Sequence, residues 1–232
     1  MSDPDLIYNY FNYYTEIEEH FQRARGTSLF RLSSLDWALV DCWKNAGVPL
    51  EAVLRGIDIA FEKWRAKPKK TQMVNSIAFC TQAVLSEAQR MAGTDQPRRE
   101  KSEAQPFEPG QVRDFIGANA AALRKAGFDE AASSLEVLLA GALFAGSLSA
   151  GSMDDLEDLE QRLGIIEQKL IATLRSRQSE EDALAARKSL DNQLRPYRGK
   201  MTADQLSMLE RQYLDRDLLE KAQIPRLSLF YL

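Results

Sequence analysis

The chain has 232 residues, a formal net charge of −4, 44% hydrophobic side chains and 28% charged ones. That length accommodates one large core or two modest ones, and the balance excludes both a disordered tail and a fibrous repeat. The negative net charge excludes a general attraction of the whole molecule for nucleic acid or anionic lipid.

The first predicted helix starts near Asp3 or Pro4 and runs to about Arg25, with Ile7, Tyr10, Tyr14, Ile17 and Phe21 on one face and Gly26 ending it. Tyr8, Phe11 and Tyr13 add aromatic surface beyond one stripe. An aromatic core within the domain accounts for them most simply.

From Leu32 to Trp64 the chain reads as two short helices joined by a Gly47-Val48-Pro49 corner. Ser33-x-x-Asp36 is a capping box, with Leu32 and Trp37 placed as its hydrophobic staple. Leu35, Leu39 and Trp43 form the inward stripe of the first helix, flanked by Val40 and Cys42. Leu50, Val53, Leu54, Ile57, Phe61 and Trp64 form that of the second. A DNA-reading helix needs exposed basic or amide side chains near its start, and LEAVLRGID offers only Arg55.

A basic loop follows. Residues 1–92 hold eleven basic and eleven acidic side chains, so the negative excess lies beyond them. Within this neutral part Lys63, Arg65, Lys67, Lys69 and Lys70 form a local basic cluster, the candidate nucleic-acid contact, with Trp64 available for stacking. The alternative is a solvated loop with Trp64 in the core. A fourth helix takes Val74, Ile77, Val84, Ala88 and Met91 as its stripe. Cys42 and Cys80 are the only cysteines. Both lie in helical patterns, which predicts two buried free thiols and a reducing, cytoplasmic setting.

Residues 32–88 resemble the C-terminal domain of DnaD-like primosomal and replisome-organiser proteins. The likeness rests on LSSLDWALVDCWKNAGVPLEAVLRGIDIAF, with Trp43, Gly47, Val48, Leu54, Ile57 and Ala60 in family-like positions, followed by a basic loop and a helix. It implies a small helical DNA-binding domain that helps load a replicative helicase. In the last helix the family's Tyr-x-x-x-Ile and following Trp are replaced here by Phe79, Ala83 and Glu87. That motif is tied to the family's DNA contact.

Residues 93–108 are polar, charged and punctuated by proline, and read as a linker. The sequential division is therefore an aromatic-rich helical domain over 1–92, the linker, and a helical bundle over 109–232. In the latter, Pro109 opens a helix with Val112, Phe115, Ile116 and Leu123 that ends at Gly127. Asp129 caps the next, whose apolar run Leu135–Leu148 is too short and alanine-rich to span a bilayer and reads as a buried helix. No basic, then apolar, then small-residue leader opens the chain.

Ser152-x-x-Asp155 is a second capping box. It starts a heptad-like seam of Leu156, Leu159, Leu163, Ile166 and Leu170, too short for a coiled coil and suited to a bundle helix. The apolar pattern lapses between Leu174 and Ala183, where Ser179-x-x-Asp182 could cap a new helix. Continuity to Leu194 is the preferred reading. Thr202-x-x-Gln205 caps a last helix with Leu206, Leu209, Tyr213 and Leu218. The ending IPRLSLFYL is too apolar to lie in water, so Leu227, Leu229, Phe230, Tyr231 and Leu232 are expected to dock, on their own bundle or on a partner. Pro225 separates this extended segment from the helix before it.

No catalytic constellation is found. The single histidine, His20, forms with Glu16 and Glu19 half of a di-iron motif whose second Glu-x-x-His is missing, so these read as surface residues. No glycine-rich phosphate loop follows a strand. The fold class expected is all-α, about eight helices in two helical subdomains. The function expected is a non-enzymatic binding or adaptor protein without cofactor or metal, engaging a protein partner or itself and no membrane. A DnaD-like DNA-binding replication factor is the alternative, and a metal-binding bundle the third reading.

Overall fold

Helical periodicity carries through to the structure. In the computed structural model the residues described are 12–26, 31–67, 73–93, 107, 110–144, 153–195, 197–199 and 201–232. Among them are nine α-helices and no strand: α1 Tyr13–Arg25, α2 Ser34–Asn45, α3 Leu50–Arg65, α4 Thr81–Ala92, α5 Gln111–Lys125, α6 Asp129–Phe144, α7 Met153–Arg177, α8 Glu180–Leu194 and α9 Ala203–Lys221. Short 3-10 turns lie at Ile77–Cys80 and Leu229–Tyr231.

By contacts the chain divides into two compact units that are discontinuous in sequence. The tryptophan unit comprises residues 13–99 and 184–216, and the tail unit comprises 1–12, 100–183 and 217–232. The polar linker would lead one to expect a sequential division. Here residues 184–216 group with the earlier helices and 217–232 with the later ones.

In the tryptophan unit α3 packs against both α1 and α4. Its apolar stripe of Val53, Leu54, Ile57 and Phe61 is buried, and Ile17 and Phe21 of α1 are fully so. Phe21 and Phe61 meet edge-on with ring centroids 5.6 Å apart. Where α3 meets α4 the approach is close enough to need a glycine: a Cβ on Gly56 would lie 2.5 Å from the Cα of Val84. The α2–α3 corner ends in a Schellman motif, with Gly47 at φ +71° and its N–H donating to the Lys44 carbonyl, and the Val48 N–H donating to the Trp43 carbonyl.

In the tail unit α5 packs on α6 and α6 on α7. Gly127, at φ +80°, closes α5 with the same pair of bonds, Gly127 N–H to Arg124 and Phe128 N–H to Leu123. Asp129 is the first residue of α6 and not its cap. The seam of α7 buries Leu156, Leu159, Leu163 and Leu170 as expected, while Ile166 is half-buried and Ile171 and Glu167 are buried beside it.

Three expectations are corrected. Residues 153–194 are two helices, because the Ser179 hydroxyl accepts the Asp182 N–H at 3.1 Å and so caps α8 afresh after Arg177. The run from Leu135 is not wholly buried: Leu135 is, but Leu138 and Leu139 are half-buried and Val137 is 73% exposed. The side chains of 142–148 lie outside the described residues. Finally, Val74 and Ile77 are buried ahead of α4, in an extended stretch and a 3-10 turn, and not on that helix. The predicted start of the first helix, the Ser152 cap and most of the linker also lie outside the described residues.

Gly56→Ala should therefore destabilise the chain, although alanine is favoured over glycine in a helix by about 1 kcal/mol. The added methyl meets backbone, which cannot turn aside, and overpacking of this kind costs about 1–3 kcal/mol. Thermal unfolding should show a lower midpoint; an unchanged or raised one would show that α3 and α4 can separate freely.

Candidate functional site

The polar chemistry of the tryptophan unit is concentrated on two buried aspartates of α2. Asp36, 1% exposed, is first the partner in the predicted capping box: its Oδ2 accepts the Ser33 N–H at 3.1 Å, and its own N–H donates to the Ser33 hydroxyl at 3.2 Å. Its other oxygen, Oδ1, accepts the Ile77 N–H at 3.0 Å and the Ser76 hydroxyl. One carboxylate thus satisfies orphan donors at the start of α2 and of the 3-10 turn 41 residues on. Asp41, equally buried, accepts the Tyr14 hydroxyl on Oδ1 and has the Arg216 guanidinium 3.8 Å from Oδ2. Arg216 also lies over the Trp37 ring, 5.8 Å from its centroid.

The thiols beside these carboxylates are unsuited to nucleophilic chemistry. Burial, and then the neighbouring charge of Asp41, pushes the Cys42 thiol up to about 12. Burial, followed by Asp36 and Asp58, does the same at Cys80. Such thiols stay protonated at neutral pH. Tyr13 is likewise raised above its ordinary value by burial, with its hydroxyl donating to the Val48 carbonyl at 3.1 Å.

The predicted basic cluster is found in part. Lys63, Arg65 and Lys67 are exposed at the end of α3, and Trp64 is half-buried, edge-on to Phe61 at 6.2 Å. Lys69 and Lys70 lie outside the described residues. Arg65 donates to the Ala24 carbonyl at 3.0 Å, and Arg25 donates to the Val74 carbonyl at 2.8 Å and to Asn75. The last turns of α1 and α3 therefore lie side by side, and Arg23 and Arg25 join the sequence-predicted residues. Cations in a last turn complement the helix dipole and carbonyl ends, which accounts for the cluster without a ligand.

His20 pairs with Asp58 at 2.8 Å. Among the described residues no group of three His, Cys, Asp or Glu side chains could hold a metal ion, and no helix is long and apolar enough to cross a membrane.

The predicted tail is docked within the tail unit. Leu227, Leu229 and Phe230 are buried, Tyr231 is half-buried and Leu232 is 41% exposed. Simple alternation would have put Tyr231 inward in place of Phe230, but the 3-10 turn over Leu229–Tyr231 breaks it. What holds the tail is a pair of glutamates two turns apart on α7. Glu167 accepts the Leu227 N–H at 2.7 Å and the Arg226 Nε–H at 3.0 Å. Glu160 accepts the Leu229 N–H at 2.7 Å and the Ser228 hydroxyl at 2.6 Å. The tail thus runs antiparallel to α7, and the Asn119 amide of α5 reaches the Arg226 carbonyl at 3.5 Å.

Neither glutamate was marked by sequence reasoning, although both follow the apolar seam at a heptad spacing. Glu167→Ala should leave the buried Leu227 N–H without its acceptor, at a cost of about 1–3 kcal/mol. Denaturant titration should show this loss, with Glu167→Gln intermediate; wild-type stability in the alanine variant would mean that apolar packing alone seats the tail.

Comparison with known proteins adds one match. A model of an uncharacterised protein family covers residues 12–100, a stretch that spans α1 to α4 and takes in the 13–99 part of the tryptophan unit. No curated protein matches the chain. No solved structure matches it.

Proposed function

We propose that the protein is a non-enzymatic helical binding protein that associates with a second copy of itself through α6. The observation that carries this reading is the exposed apolar strip of that helix. Val137 is 73% exposed, Ala140 and Gly141 are exposed, and Leu138 and Leu139 are half-buried. No charged side chain occurs from Val137 to Met153 in the sequence. A Cβ on Gly141 would meet nothing within 4 Å, so another helix has room to approach. Contiguous apolar surface of this kind marks an interaction site, and a strip without charge offers little to select a charged partner. A two-fold contact of the strip with itself satisfies both copies at once. The buried carboxylates and thiols support the non-enzymatic part, since Asp36, Asp41 and Glu167 accept hydrogen bonds from structural donors and the thiols are held protonated.

A second reading, DNA binding of the DnaD-like kind, is favoured by the side-by-side basic ends of α1 and α3. Phosphate contacts by Lys63, Arg65 and Lys67 would release counterions, so affinity would fall steeply with salt.

Sedimentation velocity over a concentration series tests the first reading. The wild-type chain should associate, and Val137→Glu should weaken that association by about tenfold or more, as expected for a charge buried at an interface. A strictly monomeric wild-type chain contradicts it. Titration with single-stranded and duplex DNA at two salt concentrations tests the second; binding that weakens with salt and is lost on reversing Lys63 and Lys67 to glutamate would establish it.

A further inference from the structure

We infer that the segment Ile224–Leu232 exchanges between two copies of the chain, docking on the Glu160–Glu167 face of the partner's α7 in place of its own. This goes beyond the α6 contact and does not depend on it.

Three observations support the exchange. Five hydrogen bonds that seat the tail lie within residues 226–229 and reach two side chains of one helix and an amide of another. Their acceptors and donors on the two helices are ones that a second copy offers unchanged. Ile224, Leu227, Leu229 and Phe230 are buried, so a tail lifted from its site must dock again.

The third observation is the hinge. The helix α9 ends in the same Schellman motif as α2 and α5, with the Gln223 N–H donating to Glu220 and the Ile224 N–H to Leu219. The left-handed position, glycine in the other two helices, is here Gln223 at φ +55°. A side chain there is strained. Only the closed arrangement requires that conformation. In an exchanged pair Gln223 can continue the helix, up to the limit that Pro225 sets on the residue before it. A short, strained hinge between a fixed helix and a detachable segment is the condition under which segments swap. Since the docking contacts are equal in both forms, the hinge and the cost of association decide between them.

The test uses the full chain in a Val137→Glu background, so that association through α6 is weakened and its failure is not confused with failure of exchange. Light scattering at rising concentration should detect a dimer. Gln223→Gly should raise the dimer dissociation constant by about tenfold or more, the equivalent of the relieved strain, while also raising the melting temperature of the monomer. A purely structural role for Gln223 would not couple those two effects. Mixing supplies a second measurement: Glu160→Gln with Glu167→Gln in one chain, and Arg226→Glu in another, each mismatch tail and glutamates in the closed and exchanged forms alike, so that neither chain alone has a well-seated tail. Together they should form a heterodimer in which the intact tail of the first meets the intact glutamates of the second. A monomer at all concentrations, a dimer unaffected by Gln223→Gly, or the absence of a heterodimer on mixing would each overturn the inference.

Discussion

The interaction on which both units rest is a carboxylate on a helix accepting backbone N–H groups from a segment that is not helical. A helix satisfies its own amides, but the stretches between helices cannot, and a buried N–H without a partner costs about 1–3 kcal/mol. In the tryptophan unit Asp36 accepts the Ile77 N–H and so fixes the entry to α4. In the tail unit Glu167 and Glu160 accept those of Leu227 and Leu229. Charge-assisted bonds to amides are stronger than neutral ones, and each carboxylate takes two or more donors, which offsets the cost of burying it.

This use of acidic side chains bears on function. Buried carboxylates and thiols are the raw material of an active site, yet Asp36, Asp41 and Glu167 are occupied with donors from the chain itself. Among the described residues, the exposed features include an uncharged apolar strip on α6 and the basic ends of α1 and α3. These are the two surfaces on which the proposed self-association and the alternative DNA contact rest. The family model that matches residues 12–100 carries no function to decide between them.

What was legible in the sequence was local. The capping boxes at Ser33 and Thr202 form as read, because their partners lie three residues away. The stripe of α2 and the middle of that of α3 are buried, with Leu50 and Trp64 at its ends half-buried, because helical period alone assigns their inner face. The second bond of Asp36, the glutamates that hold the tail and the contact of Gly56 with Val84 depend on residues roughly 28 to 70 positions distant, which no local pattern specifies. One signal was present: Asp36 lies on the same face as Leu39 and Val40, an acidic residue in an apolar stripe. The strained turn at Gln223 had none, since glutamine is not a residue that favours the left-handed region. The break at Gln178–Ser179 was legible as a cap three residues before Asp182, although continuity to Leu194 was the preferred reading.

The most direct test of the carboxylate account is native-state hydrogen exchange of three amides, those of Ile77, Leu227 and Leu229. They should be strongly protected in the wild-type chain even though Leu227 belongs to no helix. Asp36→Ala should release Ile77 alone, and Glu167→Ala should release Leu227 and, with it, Leu229. Amides that exchange freely in the wild-type chain, or that keep their protection after the carboxylate is removed, would contradict the account.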